Sequence, residues 1–191
     1  MRFHIKNFKK NLFLLFVDTI LVTILVIFTS KINFNNQIVD TSVLVLKEGL
    51  IFNNDQSFPF TGKLLDTLDN KMIVECDIVN GLMEGIYILA SSNGELAAFG
   101  SMEKNKNEGT WQYYYENGQL RCQGDFDDDC AIGKWIWYYE NGIKKCEGTF
   151  LKGLPEGKWI KYDERGYPSL LINYSAGEII YSSEIEKPIS I

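Results

Sequence analysis

Residues 109–126 read GTWQYYYENGQLRCQGDF, and residues 133–150 read GKWIWYYENGIKKCEGTF. Laid over each other, the two runs share the pattern G-x-W-x-x-Y-Y-E-N-G-x-x-x-C-x-G-x-F at an offset of 24 residues. A period of this length is the mark of a tandem repeat, in which each unit is one supersecondary element that buries its apolar surface only against a neighbour. Working outward, the first glycine recurs as Gly85, Gly109, Gly133 and Gly157, and a second set follows as Gly94, Gly118, Gly142 and Gly166. A third set, Gly100, Gly124 and Gly148, ends in Ile172, so the last unit decays as a terminal cap would. The aromatic positions hold the same register: Tyr87, Trp111, Trp135 and Trp159, then Ala90, Tyr114, Tyr138 and Tyr162.

Each unit reads as a β-hairpin. A short aromatic strand over Trp111–Tyr115 meets Glu116-Asn117-Gly118, and Asn-Gly between strand-like runs predicts a tight turn because both residues tolerate φ > 0. On the return strand, Leu120, Cys122, Gly124 and Phe126 fall on one face and Arg121, Gln123 and Asp125 on the other. The polar stretch from Asp127 to Ile132 then carries the chain into the next hairpin. An isolated hairpin is marginal in water, so the units must stack in series as an elongated all-β antiparallel sheet. The core of such a thin sheet is expected from Tyr87, Trp111, Tyr114, Trp135, Tyr138, Trp159 and Tyr162. The tyrosines and the tryptophan beside that row, Tyr113, Tyr115, Trp137 and Tyr139, are then the surface offered to a partner. Upstream, Pro59-Phe60-Thr61-Gly62 starts a weaker unit with Cys76 at the mid-unit glycine place, and Val43–Phe52 reads as an opening hairpin that caps the N-terminal edge.

The N-terminus is of another kind. Leu12–Thr29 reads LFLLFVDTILVTILVIFT, in which Asp18 is the sole charge. As a helix this run is about 27 Å long, near the roughly 30 Å of a bilayer core. Arg2, Lys6, Lys9 and Lys10 precede it and Lys31 follows, which places the N-terminus in the cytoplasm and the repeats outside. The exit Ile27-Phe28-Thr29-Ser30-Lys31 lacks a small-x-small cleavage pattern, so the segment reads as an uncleaved signal anchor. The chain then divides into a basic cytoplasmic flank at 1–11, a transmembrane anchor at 12–30, a linker at 31–42, a repeat domain at 43–181 and a tail at 182–191.

Charge and residue inventory narrow the function. The chain carries −6, residues 1–31 carry +4, and the rest therefore carries −10. So acidic a domain is a poor match for nucleic acid, where affinity comes from neutralising phosphates. The single histidine, His4, lies in the N-terminal flank, so the domain has no Ser-His, Cys-His or His-metal constellation and is not expected to be an enzyme or to hold a cofactor. Asp125, Asp127, Asp128 and Asp129 resemble the start of a calcium loop, but Cys130 stands where its glycine belongs and no glutamate closes it. Cys122 and Cys146 sit two strands apart, about 9.6 Å, too far for a disulfide, and are expected to be free.

The pattern G-x-W-x-x-Y-Y-E-N-G with PFTG upstream, across about residues 43–178, resembles the MORN-repeat variant found in bacterial proteins often labelled as antitoxins of toxin–antitoxin systems. That resemblance implies serial hairpins in one sheet used for protein–protein or membrane-associated interactions. Three functions follow as expectations: a membrane-anchored scaffold holding a protein partner at the cell envelope, an antitoxin-like inhibitor of a cognate toxin, or a binder of cell-wall glycan or lipid head groups through the aromatic face.

Overall fold

The computed structural model describes residues 38–39, 43–68 and 71–186. The flank, the proposed membrane anchor and nearly all of the linker lie outside these residues. Among the described residues no helix is long and apolar enough to cross a membrane. The chain is a succession of strands: β1 (Ile38–Val39), β2 (Leu44–Lys47), β3 (Leu50–Asn53), β4 (Gly62–Thr67), β5 (Met72–Val79), β6 (Leu82–Ser91) and β7 (Leu96–Glu103). There follow β8 (Lys106–Tyr114), β9 (Leu120–Asp127), β10 (Cys130–Tyr138), β11 (Lys144–Leu151), β12 (Leu154–Tyr162), β13 (Pro168–Ser175) and β14 (Glu178–Glu184), the last running past the boundary drawn at residue 181.

From β4 to β14 every strand pairs antiparallel with the next in sequence, in one sheet of 12 strands that also includes β1. The exception to the antiparallel expectation is β1, which pairs parallel with β4 through Ile38 and Val39. The opening hairpin does not cap the sheet edge. β2 and β3 form a separate two-stranded sheet that lies over one face, packing Leu44 and Ile51 onto a core of Phe60, Leu64, Cys76 and Ile78. Leu44 and Ile51 have no continuous strand edge to join, because β1 already occupies β4; a covered face is the remaining way to bury them.

The two ends of the hairpins use different turns, and they are not the ones the sequence suggested. At the Glu-Asn-Gly end, Gly118 N–H donates to the Tyr115 carbonyl and Tyr115 N–H to the Gln119 carbonyl. Of the three loop residues only Gly118 is left-handed, at φ 77°. This is a three-residue loop, a type I turn closed by a glycine bulge, in which Asn117 has ordinary φ and spends its side chain accepting from Gln119 N–H at 3.0 Å. The two-residue turns with both φ positive lie at the opposite end: Asn80-Gly81, Lys104-Asn105, Asp128-Asp129, Lys152-Gly153 and Ala176-Gly177. The Asp127–Ile132 stretch is thus not a long connection, since Asp127 pairs directly with Cys130. Aspartate tolerates the left-handed region better than most residues, which is how Asp128 and Asp129 take it, at φ 51° and 68°.

Both ends are clipped from unit to unit. Asn107 N–H donates to Asp129 Oδ1 at 2.7 Å, while Asp129 N–H donates to the Asn107 carbonyl at 3.1 Å. Glu84, Glu108 and Glu156, each just before a first-set glycine, accept from the N–H of Lys104, Asp128 and Ala176 one hairpin later. In the third unit Ile132 replaces that glutamate. At the other end Tyr115 Oη donates to the Tyr138 carbonyl and Tyr139 Oη to the Tyr162 carbonyl, both at 2.8 Å. Asn117 and Asn141 likewise donate from Nδ2 to the carbonyls of Glu140 and Glu164.

Candidate interaction face

The first and third glycines of the repeat are two halves of one device. Gly109, Gly133 and Gly157 have φ of 65°, 62° and 65°, and each sits where the pairing with the preceding strand shifts register. The bulge ends the local ladder and turns the side chain of the tryptophan two residues on across the preceding strand. There it lies over Gly100, Gly124 or Gly148: a Cβ on any of these glycines would fall under 3.0 Å from the indole of Trp111, Trp135 or Trp159 respectively. Each indole Nε1–H donates to the carbonyl of the residue after its glycine, Ser101 at 3.0 Å, Asp125 at 3.2 Å and Thr149 at 3.2 Å. The aromatic body is thereby buried and its polar edge satisfied. Exposure of the three tryptophans is 4%, 5% and 9%, which makes them interior residues of a single sheet.

This device also accounts for the two irregular units. Ile172 stands at the place of the third glycine because β14 brings no tryptophan to lie over it; it pairs with Trp159 and is itself buried. Cys76 opposes Tyr87, a smaller ring than indole, and a small side chain there is tolerated.

The rings make a continuous row. Tyr87 and Trp111 lie 5.5 Å apart between centroids, Phe126 meets Trp135 edge-on at 5.1 Å, Trp137 meets Trp159 at 5.5 Å, and Trp159 meets Tyr174 at 5.6 Å. Tyr113 and Trp137, expected as contact residues, belong to this row: they stack beside Trp111 and Trp135 at 6.0 Å and 5.7 Å and remain half-buried. Tyr115 and Tyr139 stand at the turn end with their hydroxyls committed to the next unit. Between β6, β7 and β8 the row opens into a shallow groove of about 370 Å³ lined mainly by Met83, Tyr87, Leu89, Ala98, Met102 and Tyr113.

Tyr114 and Tyr162, expected in the core with the tryptophans, are on the opposite face. Tyr114 Oη donates to Gln112 Oε1 at 3.0 Å, and Gln112 bonds Gln123 across the strand pair. Tyr162 Oη donates to Glu147, whose other oxygen takes Lys134 at 2.7 Å and Lys144 at 3.1 Å. Tyr138 is likewise half-buried and alternates with Trp137 along β10. A register shift also moves Leu120: it pairs with Tyr114 and shares that face, not the face of Cys122.

The Lys134 ammonium, then the Tyr162 hydroxyl, hold the Glu147 carboxyl down to about 2 from its ordinary 4.5. Burial first, then the bond to Glu147, pushes the Tyr162 phenol up to about 12. A depressed carboxyl contributes stability that is complete above pH 4.5 and lost as pH falls through 2. We expect Glu147→Gln to cost roughly 1 kcal/mol at pH 7, a modest figure because Lys134 is well exposed, and the difference from the native chain to vanish between pH 4.5 and 2. Urea titrations of both proteins across that range check it; a difference unchanged at pH 2 refutes it.

All four cysteines are free. Burial pushes the Cys76 thiol up to about 11 and also raises those of Cys122 and Cys146. These thiols stay protonated at neutral pH and behave as small apolar residues, not nucleophiles. Asp125, Asp127, Asp128 and Asp129 do not converge: Asp125 accepts from Thr110, Asp128 pairs with Lys106 and Asp129 caps Asn107.

What the sequence did not reveal are the clips. The glutamates before the first-set glycines had a visible signal in the recurrent Glu-Gly of 84–85, 108–109 and 156–157. Residues 107–128 and 132–152 match the family model described as MORN repeat variant. Repeats of this kind generally mediate protein or membrane-lipid interactions. No curated protein matches the chain.

Proposed function

We propose that this chain, which carries MORN-variant repeats, is a membrane-anchored scaffold without enzymatic activity that holds a protein partner outside the cytoplasm on its aromatic face. The observation that carries this reading is the division of labour within the row. Trp111, Trp135 and Trp159 are consumed by the fold, whereas Tyr113 remains half-exposed in the wall of an apolar groove and Trp137 half-exposed one unit further along the row. Half-buried aromatics around a shallow apolar depression have the composition of an interface centre. The anchor rests on the 18-residue apolar run at Leu12–Thr29 and on the basic flank before it.

A photoreactive amino acid at position 137, with position 136 on the opposite face as control, tests the surface in native membranes. An adduct with another protein from 137 and none from 136 is the expected result; adducts from 136 alone would transfer the function to the other face. A reporter fused after Ile191 tests orientation, and a cytoplasmic readout would overturn it.

A further inference from the structure

The aromatic face is not evenly apolar along its length. Equivalent positions in successive units run Leu89, Tyr113, Trp137 and Lys161. Lys161 pairs with Cys146, which in turn pairs with Trp137, so its side chain shares the face of the row. Arg121 lies over the Tyr113 ring at 5.8 Å and Lys145 over the Tyr139 ring at 5.3 Å, cation–π placements one unit apart. Among the described residues no salt bridge occupies Arg121, Lys145 or Lys161, unlike Lys134 and Lys144 on the other face.

The carboxylates of β8 to β13 are on the far side or at the turns. Asp125 pairs with Thr110, Glu147 with Ile136 and Ile160, Glu108 with Ser101, and Glu156 with Thr149. Glu116, Glu140 and Glu164 are in the loops. From β8 to β13, a domain that carries −10 outside residues 1–31 thus presents one face with three cations and no strand carboxylate; the nearest strand carboxylates on that face are Glu184 on β14, across Leu170 from Lys161, and Asp66 on β4.

The geometry points to an acidic, extended protein segment as the occupant, with an apolar side chain in the groove at β6–β8 and carboxylates over Arg121, Lys145 and Lys161. This rests on the aromatic face being the binding surface. From β8 to β12 is four strand spacings, about 19 Å, which an extended chain of about six residues covers. Charge complementarity selects the acid, and the net charge of the domain selects against the competing anion: a flat anionic bilayer meets the repulsion of the whole acidic domain, whereas a single strand meets only the stripe.

The test uses the full chain in uncharged detergent micelles, with tryptophan fluorescence reading two synthetic decapeptides, one alternating Glu and Leu and one alternating Lys and Leu, and a water-soluble short-chain phosphatidylglycerol titrated into the same micelles. Expected is saturable binding of the Glu peptide, weakened by salt and by about tenfold in R121Q/K145Q/K161Q, with the Lys peptide inert. The unfolding midpoint of the variant checks that the fold is kept, and the single substitutions K145Q and K161Q, each with a partial loss, guard against a variant that fails to fold. Equal binding of both peptides, undiminished affinity in the triple variant, or no peptide binding overturns the inference. A saturable response to the phosphatidylglycerol that the triple variant loses, with none to the Glu peptide, makes lipid the occupant and overturns it as well. Cross-linking from position 137 decides the aromatic-face reading separately from all of these.

Discussion

Gly124→Ala is expected to cost about 3 kcal/mol or more, whereas alanine at an unobstructed strand glycine would gain roughly 0.5–1 kcal/mol. The added Cβ enters the space of the Trp135 ring, at under 3.0 Å, and the obstacle is an indole held down by Phe126 and Phe150 and not the free end of a flexible chain. The ring must lift, its Nε1–H must leave the Asp125 carbonyl, and about the whole buried contribution of a tryptophan is lost with it. Trp135→Ala should cost a similar amount, and the two together little more than either, because the glycine is needed only for the ring it carries. Chemical denaturation of the four proteins of this cycle measures the coupling. Additive losses would mean that Gly124 serves the backbone and not the indole.

Excision of Gly109–Ile132, one full period, is expected to leave a folded, cooperatively unfolding protein, whereas excision of Gly109–Ala131 is expected to abolish folding. In the first, Gly133-Lys134-Trp135 follows Glu108 directly, so Trp135 arrives over Gly100 with the carbonyl of Ser101 as its acceptor, the place Trp111 held. The shortened sheet keeps every kind of contact and loses one unit and one unit-to-unit interface. In the second, one residue too many precedes the bulge, and a single-residue slip turns each later side chain to the wrong face. Circular dichroism and urea unfolding separate the two outcomes. Equal folding of both would show that register is set elsewhere than in the glycine–tryptophan pairs.

Much of this architecture was legible because the period, the glycines and the aromatic register are written directly in the residues. The serial hairpin order followed from them. What was not legible has particular causes. Asn-Gly at 117–118 is the strongest short signal for a two-residue turn, but here the asparagine turns its side chain to the loop and to the Glu140 carbonyl, and only the glycine goes left-handed. Asp128-Asp129 carries no such signal, since the partner that holds it is Asn107 on another hairpin. Alternation of residues placed Leu120 with Cys122, and the register shift between Tyr113 and Tyr114 undoes that alternation within two residues. Tyr114 and Tyr162 were drawn into the core by repeating in step with the tryptophans; period alone does not say which face a column occupies. Ile172 resembled decay and is instead the side chain that fits when no indole follows.

Strand order from β4 to β14 is chain order, and each tryptophan lands on a glycine that precedes it by 11 residues. The landing place is therefore always synthesised before the ring that needs it. A ribosome adds residues at roughly 5–20 per second, slower than a hairpin closes by several orders of magnitude. Growth of this sheet is consequently vectorial: as each strand after β4 emerges, everything it must dock against has already formed, apart from its own successor. From β5 onward each strand joins the newest edge, and only the start of the chain waits on later residues: β1 on β4, and the β2–β3 hairpin on the core it covers.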